Sequence, residues 1–208
     1  PFKSLALKLK NENVDMHPQN FSPEEQEALS IYETRITASN LAPKRPSILD
    51  AEIHTVTVKG ERFVIAVGLL NGAPYELFGG HMNGLGFKFT LKKGKIQKVK
   101  RGQYKLEIGD DFEVEDFGKQ FTSSEQTTFR LVSTSLRHGV PLNFISEQLE
   151  KASEDMFSLS SAAARVLKKY IKEGTSATGM ACPSCKGTVE YGNDGCVHCT
   201  QCDWQRCS

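Results

Sequence analysis

The sequence predicts an α+β fold: an antiparallel β-meander packed with about three C-terminal helices and followed by a small cysteine-rich tail. Three observations lead to this prediction. From residue 53 to residue 108, apolar and polar residues alternate with the period of a β-strand. Between residues 122 and 173 the apolar spacing becomes that of amphipathic helices. All six cysteines follow residue 181.

Composition places the chain among folded globular proteins. Its 208 residues suffice for one medium domain and a small appendage, and 38% are hydrophobic and 25% charged. The net charge of +1 indicates no particular partner. No apolar run reaches the roughly 18 residues that would span a bilayer, and no secretion signal is present. We therefore expect no membrane association and a cytoplasmic location, where cysteines serve metal binding or catalysis.

Changes in composition divide the chain into four segments. Ser22, Pro23 and Glu25 together mark a helix start. The apolar residues of that helix recur at helical spacing at Leu29, Tyr32 and Ile36. The predicted segments are a leader with one helix and a linker (1–44), an α+β domain (45–173), a flexible linker (174–181) and a cysteine-rich tail (182–208).

The α+β domain begins with strands and ends with helices. Asn71-Gly72 is a hairpin turn signal, and five to seven strands are predicted, one of which contains Phe87, Phe89 and Leu91. Thr122 and Glu125 form a capping box that starts the first C-terminal helix. Pro141 starts the second helix, and a third runs from about Met156 to Gly174.

A lysine-rich stretch at residues 88–105 has two interpretations. Basic residues interleaved with apolar ones occur on nucleic-acid-binding surfaces. They also occur on solvated hairpins, where lysines protect a sheet edge, and we favour this second interpretation. Before the tail, the sequence shows no general acid–base pair, no Ser/His/Asp constellation and no phosphate-binding loop.

The tail contains cysteine pairs with the spacing of metal ligands. Cys182-Pro-Ser-Cys185 precedes a turn-forming Gly-Asn-Asp-Gly segment at 192–195, and further Cys-x-x-Cys spacings follow from Cys196 to Cys202. Two Cys-x-x-Cys turns around a hairpin are the ligand arrangement of a Cys₄ zinc ribbon. A zinc-ribbon-like tail that binds Zn²⁺ is therefore predicted.

Six cysteines exceed the four that zinc needs, and two assignments remain open. We favour as ligands the set whose insert, 186–198, leaves room for a hairpin: Cys182, Cys185, Cys199 and Cys202. Cys196 and Cys207 then form a thiol pair on a mobile tail, suited to thiol–disulfide exchange. The alternative set comprises Cys182, Cys185, Cys196 and Cys199, which frees Cys202 and Cys207. Cys207 is free in both, and Arg206 should favour its thiolate.

Several motifs resemble a known family. They are Arg45-Pro46 before a hairpin, Asn71-Gly-Ala-Pro-Tyr-Glu-Leu-Phe78, Ser135-Leu-Arg-His-Gly-Val-Pro-Leu142, and the ending Cys196-x-x-Cys-x-x-Cys-x-x-x-x-Cys207-Ser208. Together they resemble the C-terminal region of adenosylcobalamin-dependent, class II ribonucleotide reductases, which make deoxyribonucleotides for DNA replication. The resemblance covers roughly residues 43–208.

The resemblance implies a redox role beside a separate catalytic core. In this family the radical chemistry takes place in a large barrel that holds adenosylcobalamin. The resemblance therefore implies that this chain is the C-terminal segment or split-gene partner of such a core and is inactive alone. Cys207 and Cys196, or Cys207 and Cys202, would relay electrons from a thioredoxin-like reductant to the active-site disulfide. A zinc-ribbon module for nucleic-acid binding or docking is the alternative function.

Overall fold

A computed structural model describes residues 22–24, 26, 42–81, 93–109, 112–117, 121–152, 155 and 158–207. The chain divides into two units, Pro1–Pro43 and Lys44–Ser208. In the first unit Pro23, Glu24 and Gln26 are helical, and the backbone N–H of Gln26 donates to the carbonyl of Ser22. The leader at 1–20 and the helical residues predicted at 29–36 lie outside the described residues.

The second unit begins with a six-stranded antiparallel sheet. Its strands are β1 (Ile48–Val58), β2 (Glu61–Leu70), β3 (Ala73–His81), β4 (Lys93–Lys100), β5 (Gln103–Ile108) and β6 (Phe112–Val114). Their order is β3-β2-β1-β4-β5-β6, so β1 is central and pairs with β2 on one side and β4 on the other. The α+β class is confirmed, although the strand order is not that of a simple meander. The predicted strand at 87–91 lies outside the described residues.

The sheet curls so that its two ends approach each other. Phe78 on β3 and Tyr104 on β5 are separated by three intervening strands in the sheet, yet their ring centroids lie 4.7 Å apart. A Cβ on Gly68 of β2 would lie 3.3 Å from the side chain of Ile96 on β4, which shows how closely the curled sheet packs. The concave face thereby encloses its own core, including Ala66, Ile96 and Leu106.

Three helices cover the other face: α1 (Ser123–Arg137), α2 (Leu142–Lys151) and α3 (Leu159–Lys168). The predicted capping box is present, because Thr122 Oγ1 accepts from the backbone N–H of Glu125 and the Glu125 carboxylate accepts from that of Thr122. Pro141 is the N-cap of α2, as predicted. α3 begins later than predicted, at Leu159, where Ser158 Oγ accepts from the backbone of Ser161. None of the described helices is long and apolar enough to cross a membrane.

The cysteine-rich tail forms a second, four-stranded sheet. It comprises β7 (Ser176–Ala181), β8 (Thr188–Tyr191), β9 (Val197–Cys199) and β10 (Gln205–Arg206), in the order β10-β9-β8-β7. The structure therefore differs from the predicted flexible linker at 174–181. The reason is a backbone pairing: Gly174 N–H donates to the carbonyl of Tyr191, and Tyr191 N–H donates to that of Thr175. Small residues without an apolar pattern thus become a strand.

Candidate metal centre and disulfide

Two turns of the second sheet bring four cysteines together. Cys182 and Cys185 lie between β7 and β8, whereas Cys199 ends β9 and Cys202 precedes β10. The Sγ atoms of Cys182 and Cys202 are 3.6 Å apart, and those of Cys185 and Cys199 are 3.4 Å apart. All four lie within 4.8 Å of one another. The structure thus groups the set that the spacing favours, and Cys196 lies outside this cluster.

The first turn depends on a glycine beside the cluster. Lys186 has a φ of 63°, and its N–H donates to the carbonyl of Cys182. A Cβ on Gly187 would lie 3.1 Å from Sγ of Cys185 and 2.7 Å from the side-chain oxygen of Gln201. The two Cys-x-x-Cys turns approach each other at Gly187, so a larger residue there would push Cys185 or the second turn outward.

The geometry fits a structural zinc ion. Zn–S bonds of about 2.3 Å in a tetrahedron place neighbouring sulfurs about 3.8 Å apart, close to the 3.4 and 3.6 Å observed. Cys182 and Cys199 are buried, Cys202 is half-buried and Cys185 is exposed. With four protein thiolates, no position would remain for water or substrate, which is typical of structural rather than catalytic zinc.

Backbone groups around the sulfurs favour the ligand charge state. Gly187 N–H donates to Sγ of Cys185 at 3.4 Å, and Gln201 N–H donates to Sγ of Cys199 at 3.3 Å. Burial raises the pKa of Cys182, but hydrogen bonds from the backbone of Cys185 and Ser184, together with those from the thiols of Cys202 and Cys199, outweigh it and bring the pKa to about 6. A thiolate is the form that binds metal, so Cys182 is prepared as a ligand.

The pKa of Cys202 is shifted in the opposite direction. A hydrogen bond from the backbone of Trp204 lowers its pKa, but burial and the neighbouring sulfurs outweigh that bond and raise the pKa to about 12. Without a cation, therefore, one thiol of the cluster ionises readily while its neighbour retains its proton. A bound divalent cation would remove this conflict, because it stabilises every coordinating thiolate.

The remaining two cysteines are joined to each other. Cys196 and Cys207 form a disulfide with a Cα–Cα distance of 4.3 Å. Cys207 is exposed and Cys196 is half-buried. The Asp194 carboxylate lies beside them, where its Oδ1 accepts from the backbone N–H of Cys196 at 2.9 Å. The influence of Arg206 on a Cys207 thiolate concerns the reduced form and stays a prediction.

The cysteine-rich sheet packs against the helices. Ile171, which follows α3, shares an apolar cluster with Val189 and Tyr191 of β8, and Leu142 of α2 packs against that cluster. A Cβ on Gly195 would lie 3.1–3.2 Å from backbone and side-chain atoms of Lys168. The tail in this structure is thus docked on the helical layer, in contrast to the predicted mobile appendage.

Part of the lysine-rich stretch 88–105 lies in the β4–β5 hairpin, whereas residues 88–92 lie outside the described part. Lys105 Nζ forms ion pairs with Glu107 at 3.0 Å and Glu113 at 2.8 Å. Hydrogen bonds to these carboxylates raise the pKa of Lys105. This pairing agrees with a solvated hairpin face better than with a surface that attracts phosphates.

A buried ionic cluster is a feature that the sequence analysis missed. Glu76 on β3 is fully buried and accepts from Nη2 of Arg45 at 2.6 Å and from Nη2 of Arg137 at 2.7 Å. Each guanidinium also lies 5.3 Å from the centroid of a tyrosine ring, Arg45 over Tyr104 and Arg137 over Tyr75. The three charged residues come from the three motifs of residues 45–46, 71–78 and 135–142. The sequence could have indicated the cluster, because each of these three motifs contains one charged residue of it.

The fold and the site define a class of protein: a curled α+β domain that carries a zinc-ribbon-like four-cysteine sheet. The family described as NrdJ homologue C-terminal domain matches residues 49–172, which is more than half of the chain. The chain therefore belongs to the NrdJ homologue C-terminal domain family. This membership agrees with the resemblance to a ribonucleotide reductase C-terminal region. No curated protein and no solved structure matches the chain.

Proposed function

We propose that this chain is the C-terminal part of an adenosylcobalamin-dependent ribonucleotide reductase and relays reducing equivalents to a separate catalytic core. Family membership supports the association with a reductase. The observation that carries the relay is the division of the six cysteines into a four-thiol cluster and a separate disulfide with one exposed sulfur. A relay requires such a separation, because metal-bound thiolates are not free to exchange.

The relay is a pair of thiol–disulfide exchanges. In the reduced chain, the Cys207 thiolate attacks a sulfur of the core disulfide and forms a mixed disulfide, releasing one core thiolate. Cys196 then attacks the Cys207 sulfur, so the core regains both thiols and the Cys196–Cys207 disulfide forms. An external dithiol such as thioredoxin reduces that disulfide and is itself oxidised. Two electrons move in each exchange, and the disulfide observed is the oxidised state of the pair.

The four remaining cysteines have a structural role in this proposal. Cys182, Cys185, Cys199 and Cys202 would hold zinc, and zinc would supply folding energy to a sheet too small to build a core alone. Cys202 precedes β10, and β10 leads directly to Cys207. The cysteine-rich sheet, residues 174–207, is called the ribbon from here on. The ribbon would therefore position the exchanging pair and protect four thiols from oxidation.

The radical chemistry belongs to the partner. All cysteines of this chain lie at 182–207, and each has a place in the cluster or the disulfide. A thiyl-radical cysteine shielded in a barrel, and the adenosylcobalamin that generates it, would reside in the core. The chain alone would turn over no ribonucleotide.

The test is to assemble the full chain with its reductase core and replace single cysteines. We expect Cys196→Ser to keep one zinc per chain and to abolish turnover driven by thioredoxin. Turnover driven by dithiothreitol should persist, because a small dithiol reaches the core directly. Cys202→Ser is the matched control and should lose zinc, because Sγ of Cys202 belongs to the cluster.

Three results would contradict the proposal. Thioredoxin-dependent turnover that survives both Cys196→Ser and Cys207→Ser would exclude this pair from the relay. Zinc loss on Cys196→Ser together with zinc retention on Cys202→Ser would transfer the exchange role to Cys202. Ribonucleotide reduction by the purified chain alone would refute the need for a partner core.

A further inference from the structure

The curled sheet leaves a cavity where its two ends face each other. The cavity has a volume of about 390 Å³ and lies between β3, the β4–β5 turn, residues 116–117 and α1. Small-molecule pockets enclose roughly 300–1,000 Å³, so this cavity is near the lower end of that range. A ligand of mononucleotide size suits it better than a dinucleotide.

Three arginines line this cavity. Arg130 and Arg137 lie two helical turns apart on one face of α1, and Arg101 lies in the β4–β5 turn opposite them. Among the described residues that line the cavity, Asp116 supplies the one carboxylate. The positive charge of Arg137 faces Glu76, but Glu76 is also neutralised by Arg45. Cationic charge is therefore in excess, which favours an anionic ligand.

Arg137 is held in a fixed orientation at the wall of the cavity. Its Nη2 is fixed by Glu76 at 2.7 Å, and its guanidinium lies over the ring of Tyr75. Arginine binds phosphate oxygens through several donors at once, so a phosphate in the cavity would meet a guanidinium held in place.

Aromatic rings form much of the remaining wall. Phe78 and Tyr104 bridge the two ends of the sheet, and Phe117 and Phe121 lie alongside. Phe121 also packs on Phe129 of α1, with ring centroids 5.0 Å apart. Aromatic faces bind flat heterocycles by stacking. Phe117, Phe121 and Phe129 are buried, whereas Phe78 and Tyr104 are half-buried. The cavity therefore offers the accessible parts of Phe78 and Tyr104 to a planar ring and guanidinium groups to an anion.

We propose that this cavity binds a phosphorylated aromatic ligand of mononucleotide size. The ring lies against Phe78 and Tyr104, and Arg101, Arg130 and Arg137 contact the phosphate. This inference is independent of the proposed relay, because it uses neither the cysteines nor the second sheet.

The test is isothermal titration of the full chain with AMP, GMP, CMP and UMP, followed by charge reversal in the lining. Arg130→Glu and Arg101→Glu replace exposed side chains, so both variants should fold. We expect each to weaken binding of the best nucleotide at least about tenfold. Lys169→Glu reverses an exposed charge outside the lining and should change affinity less than about twofold.

Nucleoside and inorganic phosphate complete the experiment. Binding of the best nucleotide should exceed that of its own nucleoside and that of phosphate alone, because each lacks one half of the proposed contacts. Equal binding of the nucleoside or of phosphate would overturn the proposal, as would no binding of any mononucleotide at millimolar concentration. Unchanged affinity in both arginine variants would place the site elsewhere. Binding of a short oligonucleotide without mononucleotide binding would assign the cavity to nucleic acid instead.

Discussion

Glu76 is the centre of a buried ionic cluster in the curled domain. Its side chain is fully buried, and that of Arg45 is only 8% exposed. An isolated buried carboxylate would be strongly unfavourable, but two guanidinium groups occupy both of its oxygens. Arg45 also donates to the backbone carbonyl of Ile96 on β4. One ionic cluster therefore joins β3, β4, α1 and the segment before β1.

Replacing Glu76 should destabilise the domain strongly. Glu76→Gln leaves two buried or half-buried guanidinium groups without their carboxylate, and breaking a buried ion pair costs about 3–5 kcal/mol. We expect the free energy of unfolding in urea to fall by about 3 kcal/mol or more.

Glu113→Gln is the control for that change. It removes a carboxylate that is 59% exposed and paired with Lys105, so little change in stability is expected. A loss below about 1 kcal/mol in Glu76→Gln would show that the buried cluster contributes no more than a surface ion pair.

At the scale of elements, the ribbon and the curled domain have separate sources of stability. The curled domain has an apolar core on each face of its sheet. The ribbon has strands of two to six residues and one small cluster. A metal ion would link the two Cys-x-x-Cys turns of the ribbon, which has little apolar core to hold them together. The stability of the ribbon should therefore depend on the metal far more than that of the curled domain does.

Chelation should therefore unfold the ribbon and leave the helices. Trp204 is the single tryptophan of the chain, is half-buried, and its carbonyl accepts from the backbone N–H of Cys199. On removal of zinc we expect its fluorescence emission to shift to longer wavelength, while the helical circular dichroism signal persists. Zinc should reverse the shift.

The matched control for chelation is Cys185→Ser, which removes one ligand. Its emission should already be shifted before chelator is added, and chelator should then have little effect. Simultaneous loss of the fluorescence and helical signals on chelation would show that the ribbon and the domain unfold as one unit.

At the scale of the whole molecule, the docking of the ribbon on the helices determines the position of the Cys196–Cys207 disulfide relative to them. Lys168 of α3 is nearly buried, pairs with Glu150 of α2 at 2.6 Å, and lies against Gly195. Gly195 immediately precedes Cys196. The contact between Gly195 and α3 therefore determines where one sulfur of the disulfide lies relative to the helices.

Gly195→Ala should weaken this docking. Gly195 has a φ of +77° and would place its Cβ within 3.2 Å of Lys168, whereas Gly60 has a φ of +84° with open space around it. Both substitutions incur the strain of a left-handed residue, about 1–2 kcal/mol. Only Gly195→Ala adds overpacking, about 1–3 kcal/mol more.

Hydrogen exchange measures the effect of Gly195→Ala locally. Amides of residues 174–207 should exchange faster in Gly195→Ala than in the Gly60→Ala control, while those of β1–β3 should differ little between wild type and Gly195→Ala. Equal exchange of the ribbon in the two variants would show that the contact with Lys168 does not hold the ribbon.

Local features could be predicted from the sequence because each is encoded by near neighbours. Thr122 and Glu125 predict the start of α1 since a capping box spans only one helical turn. The Cys-x-x-Cys spacings predicted a metal site but left two ligand sets open, because Cys196 and Cys199 have the same spacing as Cys199 and Cys202. The fold groups Cys182, Cys185, Cys199 and Cys202. Period-two alternation likewise predicts the strands and their class.

Only the tertiary structure decided which distant elements meet. The alternation of apolar and polar residues does not predict that β4 pairs with β1, because both edges of β1 offer the same backbone groups. It cannot state that Arg45, Glu76 and Arg137 converge, because contacts across 31 and 61 residues depend on how the sheet curls. Residues 176–181 have no strand pattern and become β7 only because β8 supplies a partner. The sequence by itself determined the fold class, most of the elements and the presence of metal-ligand spacings. Long-range packing determined which four cysteines group together, the strand β7, the cavity, the buried ionic cluster and the docked ribbon.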